Sequence, residues 1–401
     1  MKGLEIAERA VIKQTEKGWS VPSQNGNGTY EVTRKGNDLT CTCPDCEMRG
    51  AKCKHQWAVE QFFQRKRDAQ GNITVTKIVR KTYPQNWKAY TAAQNSEIEL
   101  FDQLLSDLVS GVTEPEQLGA GRRRIPINDL LFCSIQKVYS QLSSRRAKTL
   151  YVNSRGRAQI AKDPNYNSIN IFLNRKDLTP ILESLLTLSA LPLKSVESCF
   201  APDSSGFRTT QFAEYYGNKY RKERSHKWLK AHIMVGTKTN IVTSAVITDN
   251  LGGDCTQFAH LVNSTHQSGF HIKEVVADMA YLSRDNYNLI DDIEAEGYIP
   301  FQKSRKGRAA GSPLYHKMYH YFQLNREDFL KHYHQRSNVE TAFHMIKAKF
   351  GDKLKSKNEI AQKNELLCKL IAHNIVVLIH EMHELGIKPD FKGLTTSSFS
   401  I

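Results

Sequence analysis

The chain has 401 residues, of which 40 % are hydrophobic and 24 % are charged. This composition is ordinary for a soluble globular protein and leaves room for two or three domains. Lys and Arg outnumber Asp and Glu by 56 to 41, and the net charge of +15 favours a polyanionic partner, nucleic acid before membrane.

No apolar signal region is visible in residues 1–5, and the most apolar stretch, residues 370–378, is interrupted by His373 and Asn374. That stretch is too short to span a bilayer. We therefore expect a cytoplasmic or nucleoid-associated protein with no membrane partner, whose eight cysteines stay reduced.

The first predicted elements are two short strands over residues 19–22 and 29–33, separated by the turn-forming residues 25–28. A short helix is predicted after residue 55, with Ala58 and Val59 on its apolar face. We expect residues 1–68 to form a small module. A linker and helix over residues 69–115 follow, and residues 67–95 are predicted to be polar and partly extended.

Four of the eight cysteines lie between positions 41 and 53, and three of them form the pattern C-x-C-x9-C-x-H with His55. In an extended segment Cys41 and Cys43 point the same way, and Cys53 and His55 can complete a tetrahedral site suited to zinc. Four protein ligands leave no open position, so we predict one structural Zn²⁺. Cys46 is a spare thiol that could replace one ligand, and unmetallated cysteines with a surface histidine are the alternative.

The cysteine and histidine pattern, residues 19–23 before it and residues 58–59 after it resemble the SWIM zinc finger. The resemblance covers about residues 18–63. It implies a small module that binds DNA or protein.

A mainly helical pattern extends from about residue 96 to residue 193. Between Arg122 and Lys162 there are ten Lys or Arg residues and one acidic residue, Asp129. Because phosphate neutralisation needs such a local excess, residues 116–193 are predicted to be a helical, basic DNA-binding region. A solvated basic surface is the alternative. The residues selected as DNA contacts are Arg122, Arg123, Arg124, Arg145 and Arg146.

From about residue 194 strands alternate with helices, which favours a mixed sheet covered by helices. The predicted strands are residues 196–201, 229–235, 241–247, 274–277 and 298–301. The predicted helices are residues 256–268, 284–296, 336–350 and 364–385.

Three acidic residues in this half of the chain are candidate metal ligands, because Mg²⁺ prefers oxygen and two-metal phosphoryl chemistry needs converging carboxylates. Asp203 and Asp278 each follow a predicted strand, where an aspartate can also be only a turn former or helix cap. Glu340 shares one stripe of a predicted helix with Arg336 and Lys347. It is also the last residue of a possible capping box that begins at Ser337, or one partner of an ordinary surface ion pair.

Tyr333, Arg336, Glu340 and Lys347 match Y-x2-R-x3-E-x6-K, the signature of a large group of insertion-sequence DDE transposases. Residues 201–207 resemble the segment of that family with the first aspartate, although Ser204 replaces the more usual threonine. Residues 276–281 resemble the segment with the second aspartate. The likeness covers about residues 167–385, and most members lack a SWIM module.

This resemblance implies an α/β, RNase H-like mixed sheet flanked by helices over residues 194–385, followed by a tail over residues 386–401. Asp203, Asp278 and Glu340 are then expected to hold two Mg²⁺ ions for cleavage and strand transfer. Tyr333, Arg336 and Lys347 would contact phosphates of double-stranded DNA, both transposon ends and target. Pairing of two ends implies a homodimer or higher assembly on DNA.

Three other interpretations remain open. One is a domesticated DNA-binding regulator without catalysis, and another is a stand-alone RNase H-like nuclease. A purely structural zinc protein accounts only for residues 41–55.

Overall fold

The structure is a computed structural model that describes the chain apart from several segments. The segments outside the description are residues 1–5, 7–11, 16, 24–27, 36–37, 50–51, 68–72, 78–85, 115–122, 210–227, 250–251, 303–306 and 392–401. The chain divides into two compact units, Met1–Gln85 and Asn86–Ile401. The finer boundaries expected at residues 68, 115, 193 and 385 stay predictions.

The N-terminal unit contains a four-stranded antiparallel sheet in the order β1-β2-β3-β4. These strands are Lys13–Thr15, Gly18–Pro22, Thr29–Lys35 and Asp38–Cys41. Two short helices follow, α1 (Pro44–Arg49) and α2 (Lys54–Phe62), and then a hairpin of β5 (Phe63–Arg67) and β6 (Ile73–Lys77). Val21 and Val32 from the sheet and Ala58 and Val59 from α2 are buried together, as alternation in the strands and the apolar face of the helix predict.

The C-terminal unit begins with five helices. They are α3 (Trp87–Ser110), α4 (Ile127–Tyr139), α5 (Ser144–Gly156), α6 (Tyr166–Leu173) and α7 (Leu178–Ala190). Their buried residues share one hydrophobic core with the sheet that follows.

The central sheet has five strands in the order β11-β10-β7-β8-β9. They are β7 (Cys199–Arg208), β8 (Trp228–Gly236), β9 (Val242–Asp249), β10 (Glu274–Val276) and β11 (Glu296–Tyr298). The first three form an antiparallel meander, and β10 and β11 are added in parallel on the other side of β7. This is the mixed sheet flanked by helices that was predicted for an RNase H-like fold.

Helices cover both faces of this sheet. They are α8 (Asp254–Gln267), α9 (Arg284–Asp292), α10 (Pro313–Leu324), α11 (Arg326–Tyr333), α12 (Ser337–Phe350) and α13 (Glu359–Glu384). Ser204 of β7 bonds to α8 while Ser205, the next residue, bonds to α12. Since neighbouring residues of a strand face opposite ways, α8 and α12 lie on opposite faces.

Helix α13 is the central core helix of the C-terminal unit. Among the described residues it alone is long and apolar enough to cross a membrane, but 78 % of its apolar window is buried inside the protein. A buried core helix meets the same criteria, so this helix is weak support for a membrane span.

The far ends of β7 and α12 are tied together. Gly351 ends α12 with a φ of 74°, a left-handed conformation that glycine adopts without strain. Arg208 N then donates to Asp352 O at 2.9 Å, Leu354 N donates to Arg208 O at 2.8 Å, and Arg208 Nε donates to Asp352 Oδ2 at 2.9 Å. The strand and the helix are therefore joined at one end by both backbone and side chain.

Several predicted bounds were wrong. Helix α3 begins at Trp87 and not at about residue 96, and helix α13 begins at Glu359 and not at residue 364. Strand β7 continues to Arg208 instead of ending at residue 201, because β8 pairs with it along its whole length. The helix predicted over residues 284–296 ends at Asp292, and Glu294 has a φ of 57° that no helix continues through. The strand predicted at residues 298–301 is β11, three residues that begin at Glu296.

Two further predictions lie largely outside the described residues. They concern the turn at residues 25–28 and much of the polar linker over residues 67–95.

Candidate functional site

The four predicted zinc ligands lie together in the N-terminal unit. Cys41 ends β4, Cys43 follows it, and Cys53 and His55 stand at the start of α2. All four are buried, and their ligand atoms lie within 4.8 Å of one another. His55 Nδ1 is 3.8 Å from Cys41 Sγ and 3.9 Å from Cys53 Sγ. Atoms bonded to one tetrahedral zinc ion lie roughly 3.5–3.8 Å apart, so this Cys₃His cluster has the right size.

The surroundings of the Cys₃His cluster also suit a metal. Burial lowers the pKa of His55 and so favours the neutral imidazole that binds metals. Burial raises the pKa of Cys41 and of Cys53, so these groups stay thiols unless a nearby cation such as a metal ion stabilises the thiolates. The suggestion that Cys46 replaces a ligand is wrong, because its thiol lies outside the cluster and donates to Gln56 Oε1 at 3.6 Å.

In the C-terminal unit the sheet register brings two of the acids side by side. Parallel pairing matches Glu274 with Cys199 and Val275 with Phe200. Continued by three or four residues, the same register places Asp278 level with Asp203. Asp203 lies within β7, opposite Ile233 of β8, and not at the end of a strand as expected. Asp278 lies two residues beyond the buried end of β10 and caps a 3-10 turn, with Oδ1 accepting from Met279 N at 2.6 Å.

Arg336 connects the third acid to the first. Its guanidinium nitrogens lie 3.5 Å from Asp203 Oδ2 and 2.6 Å from Glu340 Oε1. Burial alone would lower the pKa of Arg336, but the charges of Tyr333, Asp203 and Glu340 raise it. Asp203 and Glu340 therefore both contact one fixed positive charge, and together with Asp278 they are called here the acid cluster.

The two other members of the acid cluster act on the ionisation of Asp203. Burial raises the pKa of this carboxyl, and the negative charges of Glu340 and Asp278 raise it further. The Ser204 amide, which donates to Asp203 Oδ1 at 2.8 Å, and Arg336 act in the opposite direction. Like charges brought this close form an environment that a divalent cation relieves.

Glu340 is not part of a capping box. Ser337 Oγ donates to His334 O at 3.0 Å, and no side-chain cap bond forms at the start of α12. The Glu340 side chain is 59 % exposed and engages Arg336 instead. The buried residues of α12 form an apolar stripe and are Val339, Ala342, Phe343, Ile346 and Phe350.

The two other signature residues lie on the same side. Lys347 is half-buried, donates to Ser205 Oγ at 2.7 Å and places Nζ 5.2 Å from the centre of the Phe207 ring. Tyr333 ends α11, is half-buried and packs against the core. Lys347 is thus held beside β7, the strand that carries Asp203.

The basic helical region presents several of its cations to solvent. Arg123, Arg124, Arg145 and Arg146 are exposed, whereas Arg122 lies outside the described residues. Other cations of the region pair with acids, since Arg155 lies 2.9 Å from Asp163 and Arg157 lies 3.4 Å from Asp102. Asp129 is buried and accepts hydrogen bonds from two backbone amides, so it forms no ion pair with any exposed arginine of this region that the structure describes.

Sequence reasoning assigned no role to Asp254, the first residue of α8. Its Oδ1 lies 2.7 Å from both Ser204 Oγ and Lys230 Nζ. The three residues come from separate elements, and only the tertiary fold brings them together. A position in the first turn of a helix, which Asp254 shares with many aspartates, was the one sequence signal.

Both sites fall within regions that match known families. Residues 194–375 match the family described as "Transposase DDE domain", and residues 27–63 match the family described as "SWIM zinc finger". No solved structure matches the chain. The acid cluster and Arg336 lie inside the first match and the Cys₃His cluster inside the second, which supports zinc as the metal of the smaller site. The chain therefore carries a transposase DDE domain in its C-terminal unit and a SWIM zinc finger in its N-terminal unit.

Proposed function

We propose that this chain is a DNA transposase that cleaves at transposon ends and joins the freed ends to target DNA. Asp203, Asp278 and Glu340 serve as ligands of two Mg²⁺ ions. The observation that carries the proposal is that a carboxylate of a strand, Asp203, and a carboxylate of a helix, Glu340, meet at Arg336, while the register of the neighbouring strand places Asp278 level with Asp203. The match of this region to a transposase DDE domain supports it.

The acid cluster fits the chemistry of Mg²⁺. Each of its three side chains offers carboxylate oxygens, the ligands that this hard cation prefers. When bound, two Mg²⁺ ions would activate the attacking oxygen and stabilise the leaving oxygen of an in-line displacement at phosphorus. The attacking oxygen belongs first to water and then to the freed 3′-hydroxyl.

The side chains around the acid cluster orient the DNA. Arg336 has a planar guanidinium suited to two parallel bonds with a phosphate, and its present partners are the carboxylates that the metals would take. With these carboxylates engaged by metal, Arg336 would be available to hold a phosphate beside the scissile bond. Lys347, a compact charge next to Ser205, contacts a second phosphate, and Tyr333 borders the same side.

The rest of the chain binds the ends of the element. Exposed arginines of the helical region, including Arg145 and Arg146, neutralise phosphates, and the zinc finger contacts an end, the target or another protein. Two ends must be paired, so the working form is a homodimer or a higher assembly on DNA. Such a protein acts in the cytoplasm, on the nucleoid.

The test is an assay of the full-length protein with Mg²⁺ and DNA that carries the flanking ends of its own gene. We expect nicking and joining at those ends, and neither reaction with Asp278→Asn, which should bind the same DNA as tightly as the wild type. DNA of the same length with unrelated ends is the control for specificity.

Each failure of this assay favours a named alternative. Cleavage without joining would favour a stand-alone nuclease. Specific binding without either reaction, in Mn²⁺ as well as Mg²⁺, would favour a DNA-binding regulator. Unchanged cleavage by Asp278→Asn would remove Asp278 from the active site.

A further inference from the structure

A group of polar residues lies on the α8 face of the sheet, opposite to α12. It consists of Ser204 on β7, Lys230 and His232 on β8, and Asp254 at the start of α8, and is called here the Asp254 network. Ser204 and His232 are direct cross-strand partners. The His232 side chain has no exposed surface, so the network continues into the interior.

One carboxylate oxygen is the centre of the network. Asp254 Oδ1 lies 2.7 Å from Ser204 Oγ, 2.7 Å from Lys230 Nζ and 3.2 Å from His232 Nδ1. Three polar groups on two strands thus converge on a single atom of a helix.

The groups around Asp254 are themselves held in place. Lys230 Nζ also donates to Gly252 O at 3.3 Å, and His232 Nε2 is 2.9 Å from Thr248 Oγ1 of β9. Strands β8 and β9 and the segment before α8 therefore fix the position of the Asp254 carboxylate.

Capping of α8 does not account for Asp254. The N-cap residue is Gly253, and no side-chain cap bond forms at this helix end. An aspartate in the first turn favours a helix through its charge alone, without any contact to a strand. The contact with Ser204 is therefore additional to what the helix needs.

Ser204 connects this network to the acid cluster on the other face. Its hydroxyl donates to Asp254 Oδ1 at 2.7 Å, and its amide donates to Asp203 Oδ1 at 2.8 Å. Because Oδ1 of Asp203 is occupied in this way, Oδ2 is the oxygen directed at Arg336. The rotation of the Asp203 carboxylate is thus set by a residue anchored on the opposite face.

We propose that Asp254 is a positioning residue that acts through Ser204 to hold the Asp203 carboxylate in the orientation needed to bind a divalent metal. The inference rests on the proposed function, in which Asp203 is a metal ligand. Lys230 holds Asp254 in turn, and His232 lies beside it. Groups that orient a ligand in this way typically contribute about 10- to 100-fold to metal affinity.

The experiment measures Mn²⁺ binding to the full-length, zinc-loaded protein without DNA, by electron paramagnetic resonance of free Mn²⁺. Asp254→Asn and Ser204→Ala should each weaken binding at the acid cluster about tenfold. Ser204→Thr keeps the hydroxyl and should bind almost as well as the wild type. Asp285→Asn is the matched control, since Asp285 is an exposed acid in the first turn of α9, and its Mn²⁺ affinity should not change.

Asp278→Asn separates failure of this inference from failure of the proposed function. If the wild type shows no Mn²⁺ site that depends on Asp278, the proposed function and this inference both fall. If such a site exists and folded Ser204→Ala and Asp254→Asn bind Mn²⁺ like the wild type, only the inference is overturned. Should Asp254→Asn fail to fold, the contrast between Ser204→Ala and Ser204→Thr decides.

Discussion

The Cys₃His cluster takes all four side chains from residues 41–55, whereas the acid cluster draws on residues 203, 278 and 340. The first is surrounded by a small core, in which three of the nine described buried residues are the cysteines themselves. The second lies on a sheet packed between helices in an extensive core.

This difference predicts that folding depends on the metal at the first site and not at the second. Because the described part of this core is small and includes three thiols, we expect zinc binding and folding to be coupled in the N-terminal unit. The acid cluster is positioned by the large hydrophobic core of the C-terminal unit, which packs without any contribution from a metal. Arg336 already balances part of the negative charge of the cluster. Metal binding there is expected to change ionisation and activity but not the fold.

Loss of zinc is expected to have the largest effect. Cys53→Ser should release the metal and unfold the N-terminal unit, because zinc binding to such sites is worth about 10–16 kcal/mol. Zinc content and the amide NMR spectrum of residues 13–62 would report both changes. Cys46→Ser is the matched control, since Cys46 lies outside the cluster, and it should keep one zinc per chain. A folded, zinc-free Cys53→Ser unit would contradict the coupling.

Removal of one carboxylate from the acid cluster should leave the fold intact. Glu340→Gln is expected to lower the rate of end cleavage by more than about 100-fold, the loss that residues supporting a ligand can cause. Its melting temperature should stay close to that of the wild type, because the Glu340 side chain is mostly exposed. Glu327→Gln, at an exposed acid in the first turn of α11, serves as control. A large drop in melting temperature for Glu340→Gln would contradict the claim that the fold of the C-terminal unit does not depend on its metal site.

A smaller effect is expected at Lys347. Lys347→Ala should raise the KM for DNA about tenfold, since a hydrogen bond to a charged group contributes about 1.5 kcal/mol. The Mn²⁺ affinity measured without DNA should not change, because Lys347 contacts Ser205 and not the acids. Lys363→Ala, at a lysine that pairs with Glu359 on α13, should leave KM unaltered. An altered Mn²⁺ affinity would place Lys347 in the metal site.

The smallest effect is expected for the helical region. Arg145→Ala or Arg146→Ala should each reduce the slope of log K for DNA against log salt concentration by about 0.9, the contribution of one phosphate contact. Arg155→Ala should change the slope less, since Asp163 already neutralises that guanidinium at 2.9 Å. Equal slopes for all three variants and the wild type would favour a merely solvated basic surface.

The difference between residues close in sequence and residues far apart in sequence also explains what could be predicted from the sequence. The Cys₃His cluster follows from local spacing, so its four members were predicted together and lie together. Arg336 and Glu340 are four residues apart on one helical stripe, and their contact was predicted for the same reason.

Long-range features were harder to predict. Residues 203–206 have low strand propensity, and only pairing with β8 keeps them in β7, so the strand was predicted too short. Asp254 meets Ser204 and Lys230 only after β7, β8 and α8 have packed, and no periodicity in the sequence signals that meeting.

The tie between Arg208 and Asp352 limits how this protein can vary in length. Asp203 lies five residues before Arg208, and Glu340 lies twelve residues before Asp352. Residues 203–208 and residues 340–352 are thus connected at one end by this tie and at the other by Arg336, which contacts both acids. An extra residue in α12 would turn Glu340 by about 100° and shift it by about 1.5 Å relative to β7. We therefore expect insertions or deletions within residues 203–208 and 340–352 to abolish activity. In a library of single-residue insertions along the chain, active variants should be missing from these two stretches.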